Sequence, residues 1–125
     1  MCPRNRERYT PNIVVRNVPG GGAAWTIARG EAQLDQDGTL KVEVEGLVLV
    51  ATGVNPVGQF FATLSCLNAN GTENNISTSA VQATSTGNAT IEEALTLPST
   101  CLAPIVLVRG VIPARGNPWF AVSGF

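Results

Sequence analysis

The sequence predicts an all-β, single-domain fold: an antiparallel β-sandwich of about eight strands, with a small closed β-barrel as the runner-up. Three observations carry this. Val, Thr and Ile number 14, 12 and 6 among 125 residues, a bias toward pleated backbone. No stretch shows three turns of helical amphipathicity. Short apolar runs instead recur between turn signals at a spacing typical of sandwiches and barrels.

The strand-like runs cover residues 13–18, 25–34, 40–50, 59–67, 76–84, 89–97, 104–112 and 119–122. Between them stand Pro19-Gly20-Gly21-Gly22, Asp37-Gly38, Asn55-Pro56, Asn70-Gly71, Thr86-Gly87-Asn88, Pro98-Ser99 and Arg115-Gly116-Asn117-Pro118. Each carries residues that pre-set a turn or tolerate positive φ. In the run 25–34, Trp25 and Ile27 share one parity, whereas Ala32 and Leu34 have the other. A bulge at Gly30 is the expected reset. Asp37-Gly38 then predicts a tight hairpin. Leu40, Val42 and Val44 alternate with Lys41, Glu43 and Glu45, so one face is buried and the other wet. Phe60, Ala62, Leu64 and Cys66 read as an inward face opposite Thr63 and Ser65.

Two runs break this rule. Leu47, Val48, Leu49 and Val50, and likewise Ile105, Val106, Leu107 and Val108, are apolar on both faces. With no helix to lie over them, their outer faces are the expected contact between copies of the chain. A loop such as 68–75 folding back as the cover is the competing explanation.

Charge divides the chain. Residues 1–16 hold four arginines against Glu7, net +3, and the remainder holds four cations against eight acids, net −4. The reading is a flexible basic arm over residues 1–12 and a sandwich domain over 13–125. An acidic body repels phosphates, which argues against nucleic acid as a partner. Residues 1–12 lack the apolar stretch of a signal peptide, and no run approaches the ~20 apolar residues of a membrane helix. Cys66 and Cys101, both beside apolar residues, are the expected disulfide pair, while Cys2 is the odd thiol. That bridge favours an extracellular or cell-surface location, with a signal already removed, over the cytoplasm.

The chemistry is defined by what is missing. Without histidine there is no Ser-His or Cys-His pair and no imidazole ligand. Lys41, the sole lysine, alternates with glutamates on a wet face. Gly20-Gly21-Gly22 lacks both the helix and the lysine of a phosphate loop. Asp35-Gln36-Asp37-Gly38 opens like a calcium loop, but its twelfth position is Gly46. Glu92 and Glu93 are adjacent and point to opposite faces. Glu31, Glu43, Glu45 and Glu92 nominate no glycosidase pair. Neither catalysis nor a cofactor or metal is therefore expected.

Flat rings are the usual platform for sugars. Phe61, by its outward parity, and Trp119 and Phe120, beside the Asn117-Pro118 turn, are the candidate ligand contacts. Asn70, Asn75 and Asn88 open glycosylation triplets. The terminal Phe125 resembles the end of an outer-membrane barrel strand, but the runs are too short and aromatic-poor for one. The leading reading is a non-catalytic structural or interaction module that forms homo-oligomers. The alternative is a small ligand-binding module, with carbohydrate as candidate partner.

Overall fold

A computed structural model describes residues 13–124 and the backbone of a strand at Glu7–Tyr9. The fold is all-β and antiparallel. Its strands are β1 (Glu7–Tyr9), β2 (Ala24–Thr26), β3 (Arg29–Leu34), β4 (Thr39–Glu45), β5 (Val48–Leu49), β6 (Gln59–Leu67), β7 (Glu73–Ser77), β8 (Val81–Gln82), β9 (Ala89–Ala94), β10 (Leu102–Gly110) and β11 (Trp119–Gly124). A 3₁₀ turn spans Pro113–Arg115. Within the region expected to be a flexible arm, β1 is paired to β2. The rest of that arm, Cys2 and Phe125 lie outside the described residues.

The first layer is one long hairpin with a strand on either flank. β2 and β3 are halves of a single run, as are β5 and β4, and all four keep one register from Leu34↔Leu40 to Trp25↔Leu49. β1 flanks the β2 half and β9 flanks β4. The second layer has the order β11-β10-β6-β7, with β8 also on β6. Three of the eight expected runs are each interrupted, the run 13–18 forms no strand and β1 is added, which gives eleven segments among the described residues. Among the described residues no ladder joins the strands into a ring, so the barrel is not closed.

The side chains explain the interruptions. Inward residues are Leu40, Val42 and Val44 in β4 but Leu47 beyond it, so the parity switches on both strands of the hairpin at one level. The switch falls at Ala28 opposite Gly46, not at Gly30, which pairs in register with Val44. Gly46 adopts φ +68°, and a Cβ there would stand 2.8 Å from that of Ala28. Asn88 Oδ1 accepts the Gly46 N–H at 3.0 Å and fixes the kink. Between Thr63↔Ser77 and Phe60↔Val81 the pairing slips by one residue, a bulge that separates β7 from β8.

Both layers bury one core. Leu40, Val42, Val44 and Ile91 from the first layer meet Phe60, Ala62, Leu64, Cys66, Val106, Val108 and Phe120 from the second. The hairpin between β3 and β4 turns at Asp37-Gly38 as expected. Gly38 N–H donates to Asp35 O at 3.0 Å, and Thr39 N–H donates to Asp37 Oδ1 at 3.0 Å.

That last bond holds the Asp37 carboxyl below its ordinary value of 3.8. The folded value is the lower one, so the bond stabilises the fold above pH 3.8 and the effect fades as pH falls through the folded value. Asp37→Asn keeps the acceptor oxygen and removes the charge. The wild type is expected to lead this variant slightly in urea midpoint at about pH 7 and to lose the lead at about pH 2. An equal lead at both pH values contradicts the assignment.

Candidate functional site

Cys66 and Cys101 form a disulfide, with Cα atoms 4.6 Å apart. It ties β6 to the segment that leads into β10. Cys66 is fully buried in the core and Cys101 is partly buried against it.

The three ring candidates are all covered. Phe61 does point outward from β6, but the Arg109 guanidinium lies over it, 4.9 Å from the ring centroid. Arg109 is held there by Nε donating to Asn117 O at 2.8 Å and Nη1 to Thr63 Oγ1 at 3.1 Å. Burial lowers its pKa from the ordinary arginine value. Trp119 is 6% exposed, and its Nε1 donates to Ile13 O at 3.1 Å. Phe120 faces the core and stacks on Trp25, ring centroids 4.0 Å apart. None of the three presents an open face to a sugar.

The doubly apolar runs are also largely covered within the chain. Val106 and Val108 enter the main core. Leu107 enters a second cluster with Val18 and Trp119, against which Val15, Ile105 and Val122 pack. Within the single chain, the cover over Ile105 and Leu107 is not loop 68–75. It is residues 13–20 of the same chain, a strap laid across the outer face of β6, β10 and β11. Leu47 is also core. Val48 and Leu49 are partly buried, and only Val50 of that run is exposed.

The strap is locally defined. Residues 13–18, expected as a strand, reverse instead in a two-residue turn. Val15 and Val18 exchange both backbone hydrogen bonds, at 3.0 and 2.9 Å. Arg16 and Asn17 between them take φ +49° and +67°, as a type I′ turn requires. Arg16 Nη1 then donates to Ser65 O at 3.2 Å and Nη2 to Ala103 O at 2.8 Å, while Asn75 Nδ2 donates to Arg16 O at 2.8 Å. Trp119 N–H donates to Pro19 O at 2.9 Å, joining the strap to β11. Two of its large apolar side chains point away: Ile13 is 51% exposed and Val14 62%.

The first layer's outer face is charged. Arg29 bridges Glu31 at 3.2 Å and Glu45 at 3.7 Å, and Lys41 bridges Glu43 at 3.1 Å. The hydrogen bond to Glu31 raises the pKa of Arg29, and that to Glu43 raises the pKa of Lys41. These pairs are exposed and add little stability. A cleft of about 550 Å³ beside them is lined by Glu31, Ala32, Gln33, Lys41, Glu43 and Ser123. Glu92 pairs across from Lys41, whereas Glu93 Oε1 accepts the Ser79 N–H at 2.9 Å. The glycosylation triplets are partly engaged: Asn75 holds the strap and Asn88 holds Gly46.

Sequence reasoning missed the strap and Val54, which is 47% exposed and stands with Val50, an expected contact residue, 43% exposed. They flank one tight turn, closed by Gly53 N–H donating to Leu49 O at 2.8 Å and Leu49 N–H to Val54 O at 3.0 Å. A signal for this tip was present, since Thr52-Gly53 interrupts an otherwise apolar stretch. Comparison of the chain with protein families, curated proteins and solved structures finds no match.

Proposed function

We propose that this chain is a non-catalytic structural or interaction module that self-associates, outside the cell or at its surface. The carrying observation is the exposed valine tip: Val50 and Val54 flank one turn, two residues on from the partly buried Val48. Fully burying an exposed valine contributes about 1.5–3 kcal/mol, and slightly under half of each of these side chains is still exposed, so four from two chains supply about 3–5 kcal/mol, the lower end of the ~4–15 kcal/mol docking cost. Asn55 and Arg109 support a non-catalytic role, because their side chains brace the backbone. Asn55 Nδ2 donates to Val57 O at 2.7 Å and Thr84 O at 2.9 Å, and Arg109 bonds to Asn117 O at 2.8 Å. The Cys66–Cys101 bridge supports an oxidising compartment.

Val50→Glu and Val54→Glu test the surface. Both side chains stand outside the core, so circular dichroism is expected to stay native. The association constant is expected to fall at least about tenfold, equivalent to about 1.4 kcal/mol. An oligomer unaffected by both substitutions rules the tip out. The second reading, a carbohydrate-binding module, has the Glu31/Gln33/Glu43 cleft in its favour, since carboxylates and amides suit sugar hydroxyls. Binding of an oligosaccharide by a monomer, lost in Glu43→Gln, would favour it.

A further inference from the structure

We propose that the N-terminal segment, β1 together with the strap, exchanges between two copies of the chain, so that each copy's strap covers the other's β6-β10-β11 face. This rests on the self-association reading and names its second surface and its partner.

The topology carries the inference. Apart from the Val15/Val18 turn, the contacts described for this segment all cross residues 20–22. β1 pairs with β2. Arg16 reaches Ser65 and Ala103, and Asn75 and Trp119 reach back to Arg16, Ile13 and Pro19. Val18 packs with Leu107 and Trp119. The segment is therefore a terminal element joined to its site by one connection. That connection is Gly21-Gly22, just beyond the Gly20 bridge to Trp119, and glycine backbone adopts either sign of φ at little cost. Gly22 now holds φ +81° and turns the chain back into β2. Straightened, two residues span about 7 Å, more than one strand spacing. An identical segment from a second copy makes identical contacts, so exchange preserves the contacts that fold the monomer. It also brings two hinges together. Trp119 bonds to both Ile13 and Pro19, which sets the exposed Ile13 beside the hinge. Burial of Ile13 and Val14 there is the gain the monomer lacks.

Hinge length is the test, read as particle mass by light scattering. Deleting Gly21 and Gly22 prevents folding back and is expected to shift the chain from the wild-type mixture to dimer, twice 13.0 kDa. Inserting six Gly/Ser residues at the same point is expected to shift it to monomer. A second measurement covers failure of these variants to fold. Arg16→Cys and Asn75→Cys chains, whose positions meet at the surface where Asn75 bonds to Arg16 O, are each made in a Cys2→Ser background, mixed at high concentration and treated with a short bis-maleimide. A cross-linked product containing one of each chain is the expected result. An oligomer indifferent to hinge length, lost in Val54→Glu and giving no mixed product overturns exchange and leaves the self-association reading standing. A wild type monomeric at every concentration overturns both.

Discussion

Removing the Cys66–Cys101 bridge is expected to lower the unfolding free energy by about 4 kcal/mol. The bridge closes a loop of 35 residues, and most of its effect is on the unfolded chain, whose freedom it restricts. Domains of this size have net stabilities of only about 5–15 kcal/mol, so the loss is a large share of the total. A Cys66→Ala, Cys101→Ala double variant measures it by urea unfolding. Alanine rather than serine keeps a hydroxyl out of the core, where Cys66 is fully buried. The denaturant slope should rise along with the fall in midpoint, because the unbridged chain exposes more surface when unfolded. An unchanged midpoint would mean that the loop is already restricted by other means.

Phe120→Ala is expected to cost about 3–5 kcal/mol, the range for truncating a fully buried aromatic. The ring stacks on Trp25 at an interplanar angle of 21° and meets Phe60 edge-on, centroids 6.0 Å apart. Such pairs contribute about 0.5–1.5 kcal/mol beyond burial. The register between β10 and β11 shifts between Val108 and Arg109, and that bulge turns both Phe120 and Ala121 into the core. Gly110 makes the room: a Cβ there would collide with the Phe120 ring. The same truncation at Phe61, on the outer face under Arg109, should cost clearly less. A loss at Phe120 below about 1 kcal/mol would contradict its place at the centre of the core.

Local alternation was the legible part of the fold. The run 59–67 is β6, because Phe60, Ala62, Leu64 and Cys66 alternate with Thr63 and Ser65. The Asp37-Gly38 hairpin and the Cys66–Cys101 pair were equally readable. Non-local covering was not. The two apolar faces of Ile105 and Val106 state that the strand is covered twice but not by what, and the cover lies almost 90 residues away at Arg16. Residues 13–18 read as a strand because Ile13, Val14, Val15 and Val18 are β-formers. Positive φ at Arg16 and Asn17 reverses the chain there, and only Asn17 hints at it. Outward parity at Phe61 was right, yet parity does not reveal that Arg109 folds over the ring. The phase change in the run 25–34 was visible, but its cause is across the hairpin at Gly46, a pairing that one strand alone does not contain.

Sedimentation of the unmodified chain across a concentration range tests self-association most directly. The account predicts a mass that rises with concentration from 13.0 kDa toward a discrete dimer or larger particle within the micromolar range. A single 13.0 kDa species throughout that range would contradict it.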